Sequence, residues 1–400
     1  MSFFIEKIVA AIHSIFPTSD QHIALHEPCL QGREWEYIKT CLETGWVSSV
    51  GQYVDRFEKD LAAFTGINHV IAAVNGTAAL HIAYLLAGIK TNDEVLVPTL
   101  TFVGTVNPLS YCGAIPHFID SEAQTLGINA VVLDDYLKEI TEIHQQTCIN
   151  KITGRRIRAL CVMHTLGHPV DLDPLVALCE KYHLTLIEDA AEALGSLYKN
   201  KHVGHHGLIS TLSFNGNKTI TTGGGGAILT NHPTLAKKAK HLTTTAKLPH
   251  RWAFHHDEVG YNYRLPNINA ALGCAQLEQA AAFIEVKRIL AHHYQQLFSQ
   301  IEHITCIKEP IYAKSNYWLN AVLLDDTRAH LRDVLIEALH QKNIMARPLW
   351  ELQHTLPMYA HCPRMPLPIA DNLSKRLIKL PSSACWGVRL TQGNNACNVS

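Results

Sequence analysis

The chain has 400 residues, 47% of them apolar, enough for more than one buried core and for two or more domains. Its formal net charge is −1, with 34 Lys and Arg against 35 Asp and Glu, so there is no cationic excess with which to hold a nucleic-acid backbone. The eleven cysteines are scattered without a C-x-x-C pair, which argues against a disulfide or zinc framework and for a reducing, cytoplasmic setting.

The first apolar run, residues 1–16, is interrupted by Glu6 and Lys7. It lacks a basic start and a small-residue cleavage site and is too short to cross a bilayer. It is expected to form a helix packed on the protein or on a partner subunit, with peripheral membrane contact as the lesser alternative, and no later stretch reads as transmembrane. From residue 69 onward, short apolar runs alternate with helical patterns. Strands are expected over 69–74, 94–98, 115–119, 157–163, 184–188, 209–214 and 225–230, and helices over 77–87, 130–142 and 172–183. This alternation predicts an α/β fold with a mostly parallel seven-stranded sheet, which binds ligands at the carboxyl ends of its strands. After Pro266 a long helical pattern, 267–300, opens a smaller α+β region with a strand over 318–324 and a helix over 329–342. The expected division is an N-terminal extension (1–23), a large domain (24–265) and a small C-terminal domain (266–400). The residues after Leu390 have turn composition and are expected to fray.

Four places carry chemistry. Asn75-Gly76-Thr77 follows the first strand and opens a helix, so backbone N–H groups and the Thr77 hydroxyl can meet an anion; an ordinary capped helix reads the same way. Phe102 follows the second strand, where it can stack on a flat ring or join the core. Asp189 ends a buried strand and needs a partner, which can be a protonated ring nitrogen, a basic side chain or a helix N-terminus. Glu188 alternates to the opposite face. Lys218 lies between strand runs, just before Gly223-Gly224-Gly225-Gly226. It fails the Walker A pattern, because Asn217 separates it from Gly216 and position 211 is Thr. An acid ending one strand and a lysine following another meet the needs of pyridoxal phosphate: the carboxylate keeps the ring nitrogen protonated and the lysine bonds to the aldehyde carbon. The His202, His205, His206 and His255, His256, Asp257 clusters read as solvated loop histidines, and no metal is expected.

Taken in order, several motifs resemble the DegT/DnrJ/EryC1/StrS family of sugar aminotransferases. They are Thr44-Gly45-Trp46-Val47-Ser48-Ser49, Asn75-Gly76-Thr77-Ala78-Ala79-Leu80, Glu188-Asp189-Ala190-Ala191-Glu192-Ala193, Ser213-Phe214-Asn215-Gly216-Asn217-Lys218 and Gly260-Tyr261-Asn262-Tyr263-Arg264. The resemblance implies the type I aminotransferase fold, a homodimer and pyridoxal 5′-phosphate. It makes Lys218 the cofactor-bonding lysine and proton shuttle, Asp189 the partner of the ring nitrogen, and Phe102 the stacking aromatic. Gly76, Thr77 and Ser213 become phosphate contacts, joined by Asn262 from the neighbouring subunit, and Glu192 sits near the ring hydroxyl. Trp46, Lys247, Arg251 and Arg264 are candidates for the nucleotide sugar, the last three equally readable as surface charges. Leu25-His26-Glu27-Pro28, Thr243-Thr244-Thr245-Ala246-Lys247 and His256-Asp257-Glu258-Val259-Gly260-Tyr261 are similar to a LegC-like branch. That branch implies L-glutamate as donor and a nucleotide-linked 4-keto-6-deoxy-2-acetamido sugar aminated at C4, for legionaminic-type glycans of lipopolysaccharide or flagella, with UDP slightly ahead of GDP. Alternatives on the same scaffold are a 3-aminotransferase, a sugar dehydratase and a cofactor-binding sensor.

Overall fold

The computed structural model describes residues 3–16 and 22–392. Helix α1 (Phe3–His13) is followed by α2 (Glu34–Thr44) and α3 (Gln52–Thr65), which stop at Gly45 and Gly66, both at φ 73, the left-handed turn that glycine adopts without strain. Strand β1 (His69–Ala73) then leads into α4 (Gly76–Leu86), whose first turn is closed by the Asn75 side chain accepting from the Ala78 N–H at 2.7 Å. Next come β2 (Glu94–Pro98), α5 (Val103–Tyr111), β3 (Ile115–Ile119) and α6 (Ala130–Ile140). The sequence pattern carried α6 on to residue 142, but the chain turns at Thr141 into a hairpin, β4 (Thr141–His144) and β5 (Thr147–Asn150). Its two-residue turn is Gln145-Gln146, both at positive φ. The Asn-Gly signature of such turns is absent, so the hairpin has no strong sequence mark.

Strand β6 (Arg156–Met163), α7 (Leu172–Lys181) and β7 (Thr185–Asp189) continue the alternation. Two short strands, β8 (Leu197–Tyr198) and β9 (Lys201–His202), precede β10 (Ile209–Ser213), β11 (Gly226–Thr230) and α8 (Pro233–Thr243). The main sheet runs β1-β11-β10-β7-β6-β2-β3, with β4 and β5 added at the start of β6, so it has nine strands where seven were expected. The seven expected strands are all present; β3, β2, β6, β7 and β10 are parallel, and β11 is antiparallel to both β10 and β1. Two reversals make β1 point the same way as β10. The carboxyl ends of β1, β2, β7 and β10 therefore open on one edge.

The 32-residue α9 (Asn267–Phe298) belongs to two cores. Ala270, Ala271, Cys274 and Ala280 pack with α2, α3 and the main sheet, whereas Leu290, Tyr294 and Phe298 join a separate core. That second core is built with β12 (Ile304–Cys306), β14 (Asn320–Leu324), α10 (Arg332–His340) and β16 (Leu377–Leu380); β15 (Arg347–Pro348) pairs at the sheet edge with both residues exposed, and β13 (Ala313–Lys314) instead pairs with β8. The smaller sheet runs β12-β14-β16-β15, flanked by α11 (Pro368–Ser374) and α12 (Ala384–Gln392). Ile5, Ile8 and Ile12 of α1 are fully buried in this core, so the N-terminal helix packs on the chain itself, against α9 and α10. Thr391 and Gln392, expected to fray, close α12, and the rest of that tail lies outside the described residues. Among the described residues no helix is long and apolar enough to cross a membrane, and the cysteines are free.

Candidate active site

A cavity of about 310 Å³ sits at the common edge of β1, β2, β7 and β10. Gly76, Thr77, Phe102, Asp189, Glu192, Ser213 and Lys218 all line it. Chain order separates these residues by up to 142 positions (218 − 76), and the parallel crossovers bring them together.

Asp189 is the last residue of β7 and is 2% exposed. Its Oδ2 accepts from Thr105 Oγ1 at 2.7 Å and its Oδ1 from the Ala191 N–H at 3.0 Å. Burial pushes this carboxyl above its ordinary range, and the two donors and the nearby Lys218 offset only part of that rise. A buried carboxylate lining a cavity without a bonded cation suits a protonated ring nitrogen. Glu188, on the other face, is consumed by structure: it meets His164 Nε2 at 3.1 Å and accepts from the N–H groups of Gly204, His206 and Gly207 at 2.6–2.9 Å.

At the opposite wall, α4 directs its first N–H groups, which have no intrahelical acceptor, toward the cavity beside the Thr77 and Ser213 hydroxyls. Gly76 is required here: a Cβ would lie 2.9 Å from Ser213 Cβ and 3.6 Å from the Leu212 carbonyl. Helix dipole, N–H groups and hydroxyls together make this wall a place where an anion can bind. Phe102 caps the start of α5 and is 49% exposed, so it is a cavity wall rather than core. Its ring centre is 6.4 Å from that of Trp350.

Lys218 follows β10, and its Nζ lies 3.3 Å from Glu192 Oε1 and 4.0 Å from the Trp318 ring centre. Glu192 Oε2 accepts from the Leu166 N–H at 2.9 Å. Burial raises the Glu192 carboxyl, with Lys218 opposing the rise. Trp318 donates from Nε1 to the Asn217 carbonyl at 2.7 Å, fixing the loop that carries Lys218. It follows Tyr317, a buried non-glycine residue at φ 47, a strained conformation of the kind found where a site dictates backbone. Anion-binding wall, buried carboxyl, aromatic wall and lysine are together the groups that could hold the phosphate, ring nitrogen, ring face and aldehyde of pyridoxal phosphate.

The other candidates lie elsewhere. Asn262 and Thr244 bridge the base of an arm, residues 244–262, and Lys247 bridges His256 within it. Lys247 rests over Phe254, Arg251 sits near Trp252, and Arg264 Nη2 reaches Asn262 Oδ1 at 3.3 Å. Trp46 is 57% exposed, and none of these five lines the cavity. His202 is not solvated as expected. It is buried, with Nε2 accepting from the Gly195 N–H at 2.8 Å. Of the other cluster, His256 Nδ1 meets the Thr245 carbonyl at 2.8 Å, while Asp257 joins His241 and Glu258 in a surface ion-pair group tied to Lys238. Thr105, Met163, Trp318 and Trp350 line the cavity without having been singled out. Thr105 carries a readable signal, because it lies one helical turn past Phe102, but the two tryptophans come from the distant small sheet.

The profile of the DegT/DnrJ/EryC1/StrS aminotransferase family matches residues 28–386. The chain is 40% identical over 368 residues to a GDP-perosamine synthase of Escherichia coli O157:H7, covering 90% of this chain and 93% of that protein. It is 37% identical over 378 residues to the GDP-perosamine synthase of Vibrio cholerae, covering 94% and 97%. Among solved structures it is similar to Helicobacter pylori PseC, an aminotransferase of pseudoaminic acid biosynthesis, with TM-score 0.82 and 26% identity over 91% of this chain and 94% of that one. With the type I aminotransferase fold and a cavity shaped for pyridoxal phosphate, the chain belongs to the DegT/DnrJ/EryC1/StrS family and is a pyridoxal-phosphate-dependent sugar aminotransferase.

Proposed function

We propose that the protein transfers the amino group of L-glutamate to C4 of a nucleotide-linked 4-keto-6-deoxy-2-acetamido sugar, on the way to a legionaminic-type surface glycan. The observation that carries amino transfer is the opening of Lys218 and Asp189 into one cavity that also holds the helix N-terminus at Gly76 and Thr77. When bound there, pyridoxal phosphate supplies the electron sink that loosens the α-proton of an amino acid. The chain does the rest. Asp189 holds a proton on the facing nitrogen, Phe102 and Trp350 wall the ring from water, and Gly76, Thr77 and Ser213 anchor the phosphate. Lys218 Nζ takes the α-proton of the donor, and Glu192 and Trp318 hold that amine in place.

Amination at C4 rather than C3 is supported by the relatives named for perosamine, a 4-amino sugar. The 2-acetamido group rests on the LegC-like motifs. Those motifs leaned to UDP, but the relatives' names carry GDP, and GDP is favoured here. The same relatives favour a second reading, a GDP-linked acceptor with a free 2-hydroxyl. An intact Lys218 opposes the dehydratase and sensor readings. A symmetric dimer goes with this function, because Asn262, Lys247 and Arg251 stand away from their own chain's cavity on an arm with exposed Trp252, Phe254 and Val259.

The test is a panel of four acceptors, GDP or UDP crossed with 2-acetamido or 2-hydroxyl, each run with glutamate. The GDP-linked 2-acetamido sugar should give kcat/KM about tenfold or more above the others, the worth of one well-placed polar contact. Highest turnover on the 2-hydroxyl GDP sugar would transfer the assignment to the second reading.

A further inference from the structure

Lys379 sits on β16 and is 5% exposed, yet among the described residues its ammonium has no hydrogen-bond or ion-pair partner. A buried ammonium with no bonded carboxylate is costly, and Glu192 attracts this one only from beyond ion-pair distance. Its Nζ lies 4.5 Å from the centre of the Trp350 ring, and Trp350 lines the cofactor cavity. Directly across the strand pair, in antiparallel register, stands Arg347 on β15. Opposed residues of an antiparallel pair share a face, with Cβ atoms about 5 Å apart. Arg347 has no carboxylate partner among the described residues, and its Nη2 meets only Met345 Sδ at 3.9 Å. Two cations thus stand side by side beyond Trp350, whereas the anion-binding wall at Gly76, Thr77 and Ser213 belongs to another element, the start of α4.

We propose that Lys379 and Arg347 form the carboxylate-binding corner for the dicarboxylic amino donor, Lys379 holding one carboxylate at the more buried end and Arg347 the other at the rim. The proposal rests on the amino-transfer reading and adds to it the residues that select the donor. Side-by-side cations suit a dicarboxylate, whose two anionic ends they can meet at once. Burial pushes the Lys379 ammonium down to about 8; Glu192 opposes the shift, and Arg347 and Lys218 add to it. A bound carboxylate would add a direct counter-charge to the more distant Glu192, and donor affinity should fall as pH rises through that range.

The probe is glutarate, a dicarboxylate with no amino group to react, titrated calorimetrically into the cofactor-loaded enzyme. Wild type should bind it saturably. Lys379→Met should weaken binding about tenfold or more, the loss of one charge-assisted hydrogen bond. Lys379→Arg should restore most of it and keep it above pH 8, where wild type weakens. GDP and UDP binding should be unchanged in both variants, and cofactor absorbance and thermal midpoint should report intact folding. No saturable binding to wild type, or wild-type affinity in Lys379→Met, would overturn the proposal and leave Lys379 as a strut under Trp350. Loss of nucleotide rather than glutarate binding would overturn it too, by assigning the corner to the acceptor diphosphate. These outcomes differ from failure of amino transfer itself, in which wild type would not turn glutamate into 2-oxoglutarate at all.

Discussion

At the scale of residues, Asp189 makes a prediction that needs no turnover. Its carboxyl is raised by burial, so the charged form destabilises the fold while no cation faces it. Below the ordinary carboxyl range the group is neutral in folded and unfolded chains and contributes nothing. Above its raised folded-state pKa it is charged in both, and the cost is complete. The cofactor-free Asp189→Asn variant should therefore be more stable than cofactor-free wild type near neutral pH, with the gap closing as pH falls. Urea midpoints across pH would show this, and a gap independent of pH would argue against it. The same variant should lose activity on the order of 10²-fold, as when other preorganised charge partners are removed. Lys218→Ala should lose about 10²–10⁴-fold in single-turnover glutamate conversion while keeping the fold. Near wild-type conversion would remove Lys218 as the proton carrier. Lys218 and Asp189 were legible in the sequence because each ends or follows a buried strand, where a charged group needs a reason. Lys379 was not, because its significance lies in a missing partner, which only the folded neighbourhood reveals.

At the scale of elements, apolar strands bounded by glycine or polar turns were readable, since burial on both faces writes a continuous apolar run. The β4–β5 hairpin was not. Thr141 and Ile143 continue the apolar spacing of α6, and the turn residues Gln145 and Gln146 carry no glycine signal. Nor did the boundary at 266 show that α9 spans two cores, because a helix buried on different faces along its length keeps one periodicity. Helix α1 was readable as a helix, and its packing partner was not. Its burial predicts that Ile8→Ala lowers stability by about 2–5 kcal/mol, read as a lower urea midpoint. An unchanged midpoint would mean that α1 contributes little to the core it enters.

At the scale of the whole molecule, the exposed apolar side chains of the 244–262 arm, Trp252 and Phe254 at 75% and Val259 at 79%, ask for a covering surface. If that surface is a second copy, Asn262 reaches the partner's anion-binding wall. Lys218→Ala chains mixed with chains inactivated at Asn262 should then recover about a quarter of wild-type activity, from one competent site in the half of the dimers that are mixed. No recovery in verified mixed dimers would place the whole site within one chain.

In the proposed reaction, nitrogen passes from glutamate to C4 of the sugar. Incubating the enzyme with ¹⁵N-glutamate and a nucleotide-linked 4-keto-6-deoxy sugar, then reading the product by NMR, tests it most directly. The label should be bonded to C4. Label on C3, or consumption of the sugar with the label left on glutamate, would contradict it.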